Sequence, residues 1–213
     1  GEDPGLGWVV QPEIVPLFED YNIPRAVRHL VSRPQDVATA RHLYRPPDAE
    51  VRRTFASRMA AVRAAAEAED APVQAWSAVG MDAVVWMAGA EGAVLLAMDA
   101  PDAFGRLVEQ ITEADLARTE LAAGTPGIDM VVMRGWYSST DFWSPRLFEA
   151  YVLPAVRQMA AVAHHHGLPL AYVMTTGVER LGPRLAAAGV DVLYFVDPVQ
   201  DQLTARRELW ISR

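Results

Sequence analysis

The chain has 213 residues, 51% of them hydrophobic, and a formal charge of −8. It has no cysteine, which excludes disulfides, thiolate nucleophiles and sulfur-ligated zinc. All its basic residues are arginine, which excludes a Schiff-base lysine within the chain. The acidic balance argues against a nucleic-acid partner and against attraction to an anionic membrane.

In chain order, Leu6–Val10 reads as a short strand after a start, GEDPGLGWVVQPE, that has neither the basic residues nor the long apolar run of a leader. Helical period fits Pro34–Tyr44 and, in an alanine-rich stretch studded with Arg and Glu, Asp48–Asp70. Glu50, Glu67 and Glu69 fall on the solvated face of that second helix. A strand over Pro72–Val79 is followed by helices over Met81–Ala97 and Pro101–Ala123, then by a strand over Ile128–Met133.

Ser144-Pro145 places an N-cap before a proline at the first helical position. The stripe Leu147/Phe148, Tyr151/Val152, Ala155/Val156, Met159/Ala160, Ala163 then faces a sheet, with Pro154 expected to kink the helix and Gly167 to end it. A strand over Pro169–Met174, a helix over Val178–Ala188 and a strand over Val190–Val196 complete the pattern. The last four strands are apolar throughout, as strands buried on both faces are, and the long crossovers between them imply a parallel sheet. No stretch reaches the roughly 20 apolar residues of a spanning helix. A soluble, cytoplasmic α/β protein of one domain over residues 1–213 is expected. No GxGxxG or Walker-type loop follows a strand, which disfavours a doubly wound nucleotide binder against a (β/α) barrel.

The segment MRGWYSSTDFW, Met133 to Trp143, leaves a buried strand and enters a capped helix, so it belongs at the C-terminal face where barrel sites are built. As a pocket wall, Arg134 pairs with a substrate carboxylate, Tyr137 and Asp141 donate and accept protons, Ser138 offers a hydroxyl, and Trp136 and Trp143 cover a flat ligand. The alternative is a folded loop whose aromatics pack on their neighbours. Thr175 and Thr176, before Gly177, cap a helix and are placed to touch a ligand. Asp197 ends the last strand, where it serves either as a general base or as an acceptor for loop amides. Ser77 is a ligand contact at the end of its strand, with Asp82 close behind. His164-His165-His166 lie about 100° apart on a helix and cannot all face one ion; they suit the negative helix end instead. His29 and His42 read as structural, and neither a metal nor a cofactor is expected.

The runs AVRHLVSRPQDVATARHLY, MAGAEGAVLLAMDAPDAFGRLVEQI and FWSPRLFEAYVLPAVRQMAAVAHHHGLPLAYVMTTGVERLGPRLAAAGVDVLYFVDP together resemble the uroporphyrinogen decarboxylase superfamily. That superfamily includes the decarboxylases of haem synthesis and corrinoid-dependent methyltransferases. The resemblance implies an eight-stranded (β/α)8 TIM barrel, usually of about 250 residues or more. Five or six strands are visible, so an incomplete barrel is expected, its open edges covered by missing segments or by a second copy in a homodimer.

The methyltransferases' zinc-binding His-x-Cys pair falls, counted without gaps, on Val173 and Thr175, which are poor ligands. The decarboxylases' tyrosine falls near Val85-Trp86, without a phenol. Their serine falls near Ser138 counting back from Pro145, or on Trp136 counting forward from Gly127. Three readings stand: a lyase acting on a carboxylated tetrapyrrole or related small molecule; a methyl-transfer protein docking a corrinoid protein without the usual zinc; and a non-catalytic binding member.

Overall fold

A computed structural model of the chain describes residues 2–3, 8–9, 28–174 and 177–194. Strand β1 (Glu2–Asp3) pairs antiparallel with β2 (Trp8–Val9), the only part of the expected Leu6–Val10 strand within the described residues. A 3-10 turn at Pro34–Asp36 leads into α1 (Val37–Ala40), and then follow α2 (Ala49–Ala68), β3 (Gln74–Ala78), α3 (Met81–Ala88), α4 (Ala90–Asp99) and α5 (Pro101–Ala123). After β4 (Met130–Arg134), a turn of helix α6 (Pro145–Leu147) runs through a π turn at Phe148–Val152 into α7 (Leu153–His165). Strand β5 (Leu170–Val173), α8 (Val178–Ala187) and β6 (Val192–Tyr194) complete the order. Contacts divide the chain into two compact units, residues 1–45 with 83–111 and residues 46–82 with 112–213.

In the first unit, Val84, Ala93, Phe104 and Leu107 are wholly buried. The helix expected over Met81–Ala97 is two helices. Gly89 breaks it at φ +75°, a conformation that favours glycine. A Cβ there would stand 2.6 Å from His29 Nε2, so the histidine ring fills the space a side chain would need. The helix expected over Pro34–Tyr44 is likewise shorter, ending at Ala40 and continuing only as turns. Asp36 closes its start by accepting from the amides of Ser32 and Arg33.

The second unit holds a four-stranded, all-parallel sheet in the order β3-β4-β5-β6. Neighbours in the sheet are neighbours in sequence, without the reversal of strand order that marks a doubly wound sheet. Val131, Met133, Leu170 and Tyr172 share one face and are 0–1% exposed. The opposite face carries Val132, Ala171 and Val173, with partly buried Met130, Trp136, Val192 and Tyr194 packed against them. Between Trp76 and Ala78 the register slips by one residue against β4. This bulge at Ser77 turns consecutive residues to new directions. The Ser77 hydroxyl meets Thr119 Oγ1 of α5 at 3.0 Å, and Thr119 in turn lies 3.3 Å from Met159 Sδ of α7.

Local rules set the helix around Pro154. Ser144 Oγ accepts from the Leu147 amide, with Pro145 at the first helical position. Pro154 has no amide to give to the preceding turn. Instead of a simple kink, the chain widens just before it, and the Leu153 amide reaches back five residues to the Phe148 carbonyl. Phe148, Val152, Val156, Met159, Ala160 and Ala163 form the buried stripe. Gly167 at φ +74° closes the helix: its amide donates to His164 O, and that of Leu168 donates to Ala163 O. At the same end His164 Nε2 lies 2.8 Å from Asp191 Oδ2, and His166 Nε2 lies 2.9 Å from Glu120 Oε1. Two of the three histidines thus fasten α7 to its neighbours.

Candidate site at the strand ends

The site is built where β3, β4 and β5 finish. Asp115 of α5, fully buried, accepts from the amides of Val79 (3.1 Å) and Gly80 (2.7 Å) and so fixes the turn that leaves β3. That turn delivers Asp82, in the first turn of α3, to the interior at 0% exposure. Its carboxylate accepts from Arg134 Nε (3.1 Å), at the end of β4, and from the Tyr137 amide (2.9 Å), in the loop beyond. Burial raises the Asp82 carboxyl above the usual carboxylate range, and the Tyr137 amide and the Arg134 charge pull it only part of the way back.

Arg134 keeps 24% of its side chain exposed, and its guanidinium lies 4.3 Å from the centre of the Trp136 ring. Trp136 in turn packs on Trp76, with centroids 6.0 Å apart and planes tilted by 49°. Trp76 is 44% exposed. A cation held on a buried acid therefore stands beside two indoles at the open end of the sheet.

The loop from Gly135 to Trp143 folds on itself. Trp143, 2% exposed, donates its indole N–H to the Tyr137 carbonyl at 2.6 Å and so serves the loop's own fold. The rings of Tyr137 and Phe142 meet edge-on at 5.1 Å. Ser139 Oγ accepts from the amide of Asp141, which lies on the exposed side.

Ser138 and Tyr172 are each 1% exposed, and neither hydroxyl makes a hydrogen bond of good geometry. The Tyr172 phenol is raised well above its ordinary pKa, by burial first and by the Asp82 charge in addition, with nearby Ser138 acting the other way. Tyr172 reaches this space because Gly135 has no side chain: a Cβ there would come within 2.6 Å of Tyr172 Cε1 and closer still to Cζ and Oη.

Of the residues singled out from sequence, Arg134, Trp136 and Tyr137 are brought together. Ser138 is buried beneath them, Asp141 lies at the rim, and Ser77 is turned away toward Thr119. Thr175, Thr176 and Asp197 lie outside the described residues. Sequence reasoning ranked Asp82 below Arg134 and passed over Tyr172. The available signals were a tyrosine inside the aliphatic run LAYVM and a glycine immediately after β4.

In the other unit, a cavity of about 550 Å³ is lined by residues that include His29, Arg33, Gly89, Glu91 and Asp99. Arg33 there is paired with Asp36. The mixed charge of the lining expresses no preference for a cation or an anion.

The polar and aromatic cluster thus stands at the C-terminal ends of a parallel sheet, the end at which parallel α/β folds carry their sites. The chain belongs to the uroporphyrinogen decarboxylase family: the family description Uroporphyrinogen decarboxylase (URO-D) matches residues 17–210. A comparison with curated proteins gives no match. Membership points to a decarboxylase or a related methyltransferase-like function. Among the described residues, no single helix is long and apolar enough to cross a membrane.

Proposed function

We propose that this chain is a uroporphyrinogen decarboxylase-like barrel enzyme that binds a carboxylated, flat ligand, a tetrapyrrole or a relative of one, at the C-terminal mouth of its sheet. One observation carries the reading: the partly exposed Arg134 guanidinium stacked on Trp136, beside the exposed Trp76. The cation suits a ligand carboxylate and the indoles suit a conjugated ring. Tyr137 and Asp141, on the same loop, are the candidates to give and take protons as a carboxyl group is lost and carbon is protonated. Sequential parallel pairing over four strands supports the barrel.

The thiol-activating zinc of the methyltransferase branch does not fit. Val173, at one ligand position, is a wholly buried aliphatic side chain packed with Val132 and Ala171 and has no donor atom.

The test is absorbance titration of the full chain with uroporphyrin, with hydroxocobalamin as the comparison. A saturable shift of the porphyrin band, weakened about tenfold or more by Arg134→Gln and by Trp136→Leu, is expected from the loss of one charge-assisted contact or one stacking surface. No porphyrin shift, or undiminished affinity in both folded variants, overturns the reading.

A further inference from the structure

Asp82 joins the two parts of the site that a ligand would use. One of its oxygens accepts from Arg134 Nε, the other from the amide of Tyr137, and its carboxyl has no exposed surface. Among the described residues, few groups face it. From β4 comes the Arg134 guanidinium; from the following loop, the Tyr137 amide; from β5, the neutral phenol of Tyr172. Asp115 of α5 lies next to the preceding turn and is engaged by the amides of Val79 and Gly80. Among the described residues, the Tyr137 amide and then the Arg134 charge favour the ionised form of Asp82, against a larger burial cost that favours the protonated one.

A carboxylate docking on Arg134 upsets that balance. One guanidinium then serves two anions, and the member without water around it is the one that gives up its charge. We propose that carboxylate binding at this site is proton-linked: each ligand carboxylate that docks on Arg134 is accompanied by one proton taken up by Asp82. The inference rests on the ligand class proposed above and deepens it, because the site then accepts the equivalent of a neutral carboxylic acid. Asp82 is a positioning residue. It reaches the ligand through Arg134, and once protonated it frees the guanidinium for the incoming anion while still accepting from Tyr137. Affinity consequently falls as pH rises above the ligand-free Asp82 pKa, by up to tenfold per pH unit for one linked proton.

The experiment is calorimetric titration of the full chain with uroporphyrin at about pH 7–8, where the porphyrin's own carboxylates are ionised, in two buffers of different ionisation enthalpy. The difference between the measured heats counts protons taken up per ligand. The expected result is an uptake approaching one proton for the wild type, kept by Asp82→Glu and by Tyr172→Phe and abolished by Asp82→Asn, which binds with a flat pH profile. Infrared difference spectra supply a second reading on the wild type and Asp82→Glu alone: a protonated-carboxyl band appears on binding and shifts between them. Binding without proton uptake, or uptake that survives in Asp82→Asn, overturns this inference and leaves the proposed ligand class standing. No binding at any pH overturns both.

Discussion

Replacing Gly135 by alanine tests how the site loop is seated on β5. The added methyl group would lie 2.6 Å from Tyr172 Cε1 and nearer still to Cζ and Oη, well inside any contact real Cβ atoms make. Tyr172 is 1% exposed and buried on every side, so its ring has no solvent to move into. Overpacking of this kind costs about 1–3 kcal/mol, and overlap with two ring carbons and the phenol oxygen of one side chain places it near the upper end. For a chain of this size, that lowers the midpoint of cooperative thermal unfolding by roughly 6–12 °C.

A double-mutant cycle isolates the contact. Tyr172→Ala alone opens a cavity and costs about 3–5 kcal/mol, but in its background Gly135→Ala should cost little, a coupling of about 2–3 kcal/mol. Tyr172→Phe removes only Oη and leaves the clashing carbons, so Gly135→Ala stays costly beside it. On its own, Tyr172→Phe should be neutral or stabilising by about 1 kcal/mol, because the hydroxyl it deletes is buried without a partner. Urea denaturation followed by circular dichroism and tryptophan fluorescence measures all of these. A Gly135→Ala variant as stable as the wild type, or one that pays the same penalty beside Tyr172→Ala, would refute the reasoning.

Asp115→Ala strips the acceptor from the Val79 and Gly80 amides and should cost about 2–4 kcal/mol in urea denaturation, with Asp115→Asn recovering most of it, since both amides donate to the single oxygen Oδ2, whose place the Asn amide oxygen can take. The folded-state pKa of Asp82 is raised above its unfolded value, so the native state holds that proton more tightly. Its contribution to stability is therefore fully present below the unfolded carboxylate pKa, about 3.9, and is lost as pH rises through the raised value. The stability difference between the wild type and Asp82→Asn should accordingly shrink or turn negative from about pH 4 upward; a difference that grows with pH contradicts the assigned direction.

The sequence by itself determined the elements whose causes are local. Four runs rich in apolar residues gave four parallel strands, but burial on both faces holds only for β4 and β5, whereas β3 leaves Trp76 exposed and β6 is half-buried along its length. Ser144-Pro145 and Gly167 marked the ends of one helix, because capping is decided within a few residues of the cap. Met81–Ala97 misled for a nonlocal reason: its apolar period continues through Gly89, and what breaks the helix there is the fit of the His29 ring against a backbone at positive φ.

Arg134, Trp136 and Tyr137 were legible as a site because a polar, aromatic loop stood where a strand hands over to a helix. Their partners were not. Asp82 lies 52 residues before Arg134, and an ion pair at that separation exists only once β3 and β4 pair. The bulge that turned Ser77 toward Thr119 is a one-residue slip in register, which no single strand records. Tyr172 looked like one more apolar strand residue until packing carried its hydroxyl beneath Gly135. Tertiary structure decided these points because burial is a property of the neighbours: the same carboxyl or phenol is ordinary in water, and holds its proton more tightly only where other elements close over it.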